Sequence, residues 1–217
     1  MTVNSRIVAR FGLLSIQVDR VRAGHHLAEE ALTRHDKAVD TWYADNLRRD
    51  PADAEFIAYL HSQQKDDAVN GYPHVLRSSL FTTGYGMFEF FMTSLCRELE
   101  KHVAGPVLTD LRGEGIQRAR LYLASVAQIL FPETAEWQRL ILYGKLRNAI
   151  VHAQGDLTSN RHLGAIKQLQ AKEGTFALAP DESAVTLSRD FTPRFLDTVD
   201  AFGLQLNQSL ESYIIVT

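Results

Sequence analysis

FTTGYGMFEFFMTSLCREL, residues 81–99, decides the fold class. Phe81, Tyr85, Phe88, Met92, Leu95 and Leu99 recur at steps of four, three, four, three and four residues. That spacing draws one unbroken apolar stripe along a helix and does not suit a strand, whose faces alternate every second residue. Gly84 and Gly86 fall inside the stretch, and each costs a helix about 1 kcal/mol relative to Ala. Close approach by a neighbouring helix is the expected compensation. Glu89 is the one acid in the aromatic run. It lies beside the stripe, as a polar flank or as a supporting residue of a site.

Downstream, Gly105-Pro106 ends the helix. Ile116, Leu121, Leu123, Val126, Ile129 and Leu130 predict another over 116–131, stopped by Pro132. A third starts at Glu133 or Thr134 and carries LILYGKLRNAIVHAQG, residues 140–155, with Gly155 as its C-terminal stop. Residues 158–172 read as a short polar helix. Two β-like fragments, 175–178 and 185–187, flank Pro180-Asp181-Glu182-Ser183 and predict a small hairpin. Thr192-Pro193 reads as an N-cap with proline at the first helical position. Phe195, Val199, Phe202, Leu206, Leu210 and Tyr213 stripe the last helix.

Upstream, residues 1–10 read as a frayed start. Leu14, Val18, Val21, Ala28 and Leu32 predict a helix over 11–46, in which RAGHHLAEEALTRHDK suits a solvated face. Pro51 opens a second helix over 51–69. Gly71-Tyr72-Pro73 is the expected domain boundary, separating an N-terminal helical extension (1–70) from a helical bundle (71–217). The expected class is all-α: a four- or five-helix bundle with a small β-hairpin and that extension. Its core would come from helices near 74–103, 115–131, 133–154 and 192–213.

Composition limits the function classes. The chain has 23 Lys and Arg against 26 Asp and Glu, a net charge of -3, so nucleic-acid binding would need a local basic patch. The single Cys96 excludes an internal disulfide and reads as a buried free thiol, in keeping with a cytoplasmic setting. No signal-peptide core stands at the start, and no apolar run approaches the roughly 20 residues of a membrane span. There is no HExxH, CxxC, GxSxG or P-loop. Gly84-Tyr85-Gly86 lacks the third glycine of a dinucleotide loop. His25, His26 and Glu29 have no further ligands at matching spacing, so no metal and no cofactor are expected.

The chemistry concentrates in residues 140–155. At about 100° per residue, Lys145, Asn148 and His152 fall within roughly a 60° sector, and Asn148 can touch His152. Arg147 points roughly 140° away from His152, among Leu140, Tyr143, Ile150 and Val151. An arginine in an apolar stripe needs a carboxylate, an interface or an anionic ligand. Spacing alone also fits a structural ion pair, with His152 favoured by the helix C-terminus. The local charge is positive: Arg139, Lys145, Arg147, Arg161 and Lys167 are accompanied only by Asp156 between 139 and 167.

Arg147-Asn148-Ala149-Ile150-Val151-His152, within a W-x-x-L…LRNxIVHxxG helix starting at Trp137, resembles the Arg-x4-His motif of the HEPN superfamily. The resemblance covers about 72–217; residues 1–70 add nothing to it. It implies metal-independent RNA cleavage in toxin, abortive-infection or other antiviral systems, at a composite site where two HEPN domains meet as a homodimer. It implies Arg147 and His152 as the catalytic pair, with Asn148 orienting the histidine or the phosphate and Lys145, Arg139 and Arg161 as RNA-binding cations. Glu89 and Gln154 would be supporting residues. An imidazole can take the proton of the 2′-hydroxyl or give one to the leaving oxygen, and a guanidinium holds the phosphate without a metal. Some HEPN toxins carry a tyrosine two residues after the histidine, which a nucleotidyltransferase antitoxin modifies; Gln154 stands there. A non-catalytic HEPN-like dimer serving as a binding or regulatory module is the alternative.

Overall fold

Two long helical rods lie antiparallel in the computed structural model, which describes residues 3–153, 157–158 and 161–214. Gln154, Gly155, Asp156 and the side chain of Tyr213 lie outside the described residues. The first rod, α1 (Val3–Arg49), is 47 residues long, about 70 Å at 1.5 Å per residue. After a 3-10 turn at Pro51–Asp53 the chain returns through α2 (Ala54–Asp66), a single π-helical turn at Asp67–Gly71 and α3 (Tyr72–Leu99). The pairing keeps one register throughout. Tyr43 stacks on His61 with ring centroids 4.2 Å apart. Lys65 reaches Asp36 at 2.6 Å and Asp40 at 2.7 Å. Phe11 meets Phe91 at 5.1 Å, and Arg10 donates to Glu98 at 3.0 Å.

This pairing bears on four expectations. Of the start expected to be frayed, the described residues 3–10 are helical: α1 begins at Val3, Ile7 is buried, and Arg6 and Arg10 both reach Glu98. The seam expected at residue 70 lies inside a continuous helical rod. In the π turn the Tyr72 N–H donates to the Asp67 carbonyl five residues back. The wider turn admits Pro73, which has no N–H of its own. The first half of α1 also belongs to the bundle, because Ile7, Leu14 and Val18 join the main core. Nor is the RAGHHLAEEALTRHDK face simply solvated: His25 and Glu29 are buried. Arg77 donates to both Glu29 carboxylate oxygens, at 2.7 and 2.9 Å, and to the Leu187 carbonyl at 3.2 Å, tying α1 to α3 and the hairpin.

The fold is all-α with a small β-hairpin. Around α3 pack α4 (Gly115–Leu121), α5 (Ala135–Ala153) and α7 (Phe191–Ile214), with α6 (Leu163–Glu173) against α5. Every residue of the opening stripe is buried. Phe81 meets Phe191 at 4.9 Å and Phe195 at 5.2 Å, and Phe88 meets Phe202 at 5.9 Å, so α3 and α7 interlock through aromatic edges. Strands β1 (Phe176–Leu178) and β2 (Val185–Leu187) pair antiparallel, with Phe176 opposite Leu187. Cys96 is buried against the Ala119 carbonyl, and burial pushes its thiol up to about 12.

Two boundaries differ from the sequence pattern. The helix expected to reach residue 131 ends in a π turn at Tyr122–Val126, and Gln128 adopts φ 55°. Ile129 and Phe131 are buried from an irregular segment while Leu130 faces solvent, so apolar spacing there reflects a packed loop. The last helix starts at Phe191, so Thr192 is inside it rather than capping it. Thr134 does cap α5, accepting from the Trp137 N–H at 3.5 Å. Among the described residues no helix is long and apolar enough to cross a membrane.

Candidate active site

Helix α5 is fixed in rotation by Trp137, Leu140, Tyr143 and Leu146, all with no exposed surface. Burying that face turns Gly144, Lys145, Asn148 and His152 toward a cleft of about 330 Å3. Tyr85 and Glu89 of α3 form the facing wall, and residues 114–117 at the start of α4 close one end. Tyr85 and Glu89 are four residues apart and so share a face of α3.

Arg147 lines this same cleft. The divergence expected from helical angles is therefore corrected by the length of the side chain. Its Cα lies on the apolar side, and its Nε is buried without a hydrogen-bond partner. The guanidinium bends back, and Nη1 donates to Asn148 Oδ1 at 3.0 Å. Among the described residues no carboxylate pairs with Arg147. One helix thus brings Arg147, Asn148 and His152 to one opening, with Lys145 beside them.

The other expected cations are placed differently. Arg139 is committed to Glu136 at 2.9 Å and Glu173 at 3.5 Å and does not line the cleft. Lys167 pairs with Glu182. Arg161 also lies off the cleft lining, and its Nε donates to His162 Nε2 at 3.2 Å. Burial, then Arg161 and Lys145, push His162 below the usual imidazole range, so Lys145 links the cleft electrostatically to this pair. Of the two expected supporting residues, Glu89 lines the cleft and Gln154 is outside the described residues.

Two glycines shape the walls. A Cβ on Gly144 would lie 2.9 Å from Tyr85 Cζ and closer still to its hydroxyl oxygen. A Cβ on Gly115, at φ +52°, would collide with Glu89 Oε1. Tyr85, Glu114 and Gln117 were not anticipated as lining residues. Tyr85 hides in the apolar stripe, and its spacing of four from Glu89 is the signal that could have separated it. Among the described residues no group of three or more His, Cys, Asp or Glu could hold a metal ion.

Fold and cleft together define an all-α protein with one helix presenting an arginine, an asparagine and a histidine to a polar opening. No family model, no curated protein and no solved structure matches the chain.

Proposed function

We propose that the chain is a HEPN-type, metal-independent endoribonuclease acting in the cytoplasm, in a toxin or antiviral-defence setting with an antitoxin or other regulatory partner. The observation that carries the reading is the shared opening of Arg147, Asn148 and His152, in which the guanidinium has no carboxylate partner among the described residues. An arginine so placed suits an anionic ligand.

RNA brings its own nucleophile. The 2′-oxygen attacks phosphorus, the bond from phosphorus to the 5′-oxygen breaks, and a 2′,3′-cyclic phosphate and a 5′-hydroxyl end result. The 2′-hydroxyl proton must leave to a base, and the departing 5′-oxygen must gain a proton. His152 serves one transfer. In a homodimer, the form the resemblance implies, the equivalent histidine of a second copy serves the other. Arg147 bears the growing charge on the phosphate oxygens, Asn148 holds the guanidinium in line, and Lys145 adds backbone attraction.

The test is incubation of the purified protein with mixed RNA in chelator. We expect cyclic-phosphate ends, a loss of about 10²–10⁴-fold for His152→Ala and of about 10²–10³-fold for Arg147→Ala. Cleavage that survives both substitutions sinks this site. A wild-type protein that dimerises and binds RNA without cutting it belongs to the non-catalytic alternative.

A further inference from the structure

Tyr85 stands out in the apolar stripe of α3, whose other positions are Phe81, Phe88, Met92, Leu95 and Leu99. Its residue surface is only 6% exposed, yet it lines the cleft with Arg147, Asn148 and His152. The ring packs in the aromatic cluster, its centroid 6.4 Å from that of Phe81 and 6.1 Å from that of Phe195. Its hydroxyl end lies over α5 at Gly144, where any side chain would strike it. Gly144 is one turn before Asn148. The phenol therefore enters from the core and delivers its oxygen to the cleft, one turn from the Asn148 carboxamide that holds Arg147.

Resting on the nuclease reading above, we propose that Tyr85 is a third substrate-holding group, its O–H donating a hydrogen bond to a non-bridging oxygen of the scissile phosphate alongside Arg147. A phenylalanine would fill the stripe as well; the hydroxyl is what the core does not need. A tyrosine whose ring packs in the core and whose polar tip reaches an opening places its hydroxyl for a hydrogen bond there, and Tyr85 is such a residue: its ring is buried and it lines the cleft. Burial, then Glu89, push the phenol above its ordinary range, while Arg147 pulls the other way. At neutral pH it is thus a neutral donor that adds no negative charge to a phosphate site. The packed ring holds that donor in place before substrate arrives, the condition under which a single hydrogen bond acts most strongly on a transition state.

The test is Tyr85→Phe in the full chain, which removes one oxygen and keeps the ring. We expect kcat on RNA to fall about 10- to 100-fold while KM rises a few-fold, with an unchanged unfolding midpoint. A kcat within about twofold of wild type overturns the proposal, as does a fall in kcat matched by loss of folded protein. Binding of a 2′-deoxy-substituted RNA oligonucleotide, which cannot be cleaved, gives a readout independent of catalysis. Weaker binding by Tyr85→Phe, about threefold, sustains the proposal; equal affinity overturns it. If the wild type cleaves nothing, the nuclease reading fails separately, and the binding comparison still decides the role of Tyr85.

Discussion

Glu98 shows how much a single residue can tie together. It is buried near the end of α3 and meets Lys101 at 2.7 Å, Arg10 at 3.0 Å and Arg6 at 3.4 Å. Those hydrogen bonds, Lys101 first and Arg10 next, hold its carboxyl down at about 2. An unfolded chain titrates glutamate near about 4.3. As pH falls between these values the unfolded state takes up a proton that the folded state refuses, so the contribution is complete above the unfolded value and disappears toward the folded one. Thermal unfolding followed from pH 7 to pH 2 should show this as an acid limb. Glu98→Gln should lower the midpoint at pH 7, because three cations lose their shared anion, and should flatten that limb. Parallel curves for variant and wild type would overturn the assignment. The same residues explain what could be read in advance. That Arg147, Asn148, His152, Lys145 and Glu89 stand out together was legible because four of them lie within two turns of one helix and the fifth is the one acid in the aromatic run; all five line the cleft. Arg139 and Lys167 belong to the positive count between 139 and 167, but Glu173 and Glu182, which pair with them in the fold, lie outside that window. The partner of Arg6 and Arg10 is likewise about ninety positions away, beyond any local pattern.

At the scale of elements, α3 separates two glycines that look equivalent in sequence. A Cβ on Gly84 would sit 3.2 Å from the Phe195 ring, 3.6 Å from Val21 and 3.7 Å from Leu196. Phe195 cannot easily yield, because Phe81 and Tyr143 hold it at 5.2 and 5.1 Å. A Cβ on Gly86 would meet nothing within 4 Å. Gly86→Ala should therefore stabilise the protein by about 0.5–1 kcal/mol through helix propensity. Gly84→Ala should destabilise it, because overpacking of about 1–3 kcal/mol exceeds that gain. Chemical denaturation of the two variants checks the order; equal stability of the pair would refute close α1–α3–α7 packing at Gly84. Close helix approach was thus a sound expectation at one glycine and not at the other. Helix identity and the hairpin were legible because periodicity is a local property. The π turns at Asp67–Gly71 and Tyr122–Val126 were not, because the pattern around each is still helical while the backbone widens by one residue. That is why a boundary was expected where the rod continues, and a helix to residue 131 where the chain leaves it.

For the whole molecule, the long rods serve two environments. The main core takes Ile7, Leu14 and Val18 from α1 and residues from Phe81 onward from α3. Beyond it, Leu32, Val39, Ile57 and Ala68 are buried only within the distal helical hairpin. That part is held by contacts between half-exposed groups: Lys65 with Asp36 and Asp40, His61 with Asp40, and the Tyr43–His61 stack. Exposed pairs of this kind contribute about 0–1 kcal/mol each. The cleft residue Tyr85 is 13 positions beyond Tyr72, about 20 Å along the helix. Between the tip and the cleft stands the Glu29–Arg77–Leu187 junction, which closes the bundle on that side. Replacing residues 37–68 by a short glycine- and asparagine-containing turn should therefore leave a bundle that unfolds cooperatively near the wild-type midpoint and keeps the proposed RNA cleavage at the level of the full chain. In the full chain, amides of residues 37–68 should exchange with deuterium faster than those of α5 and α7, since local opening there disrupts no part of the main core. A truncated chain that loses its cooperative transition would mean that the distal hairpin nucleates the register of α1 on α3, and that the core beyond Glu29 does not set it alone.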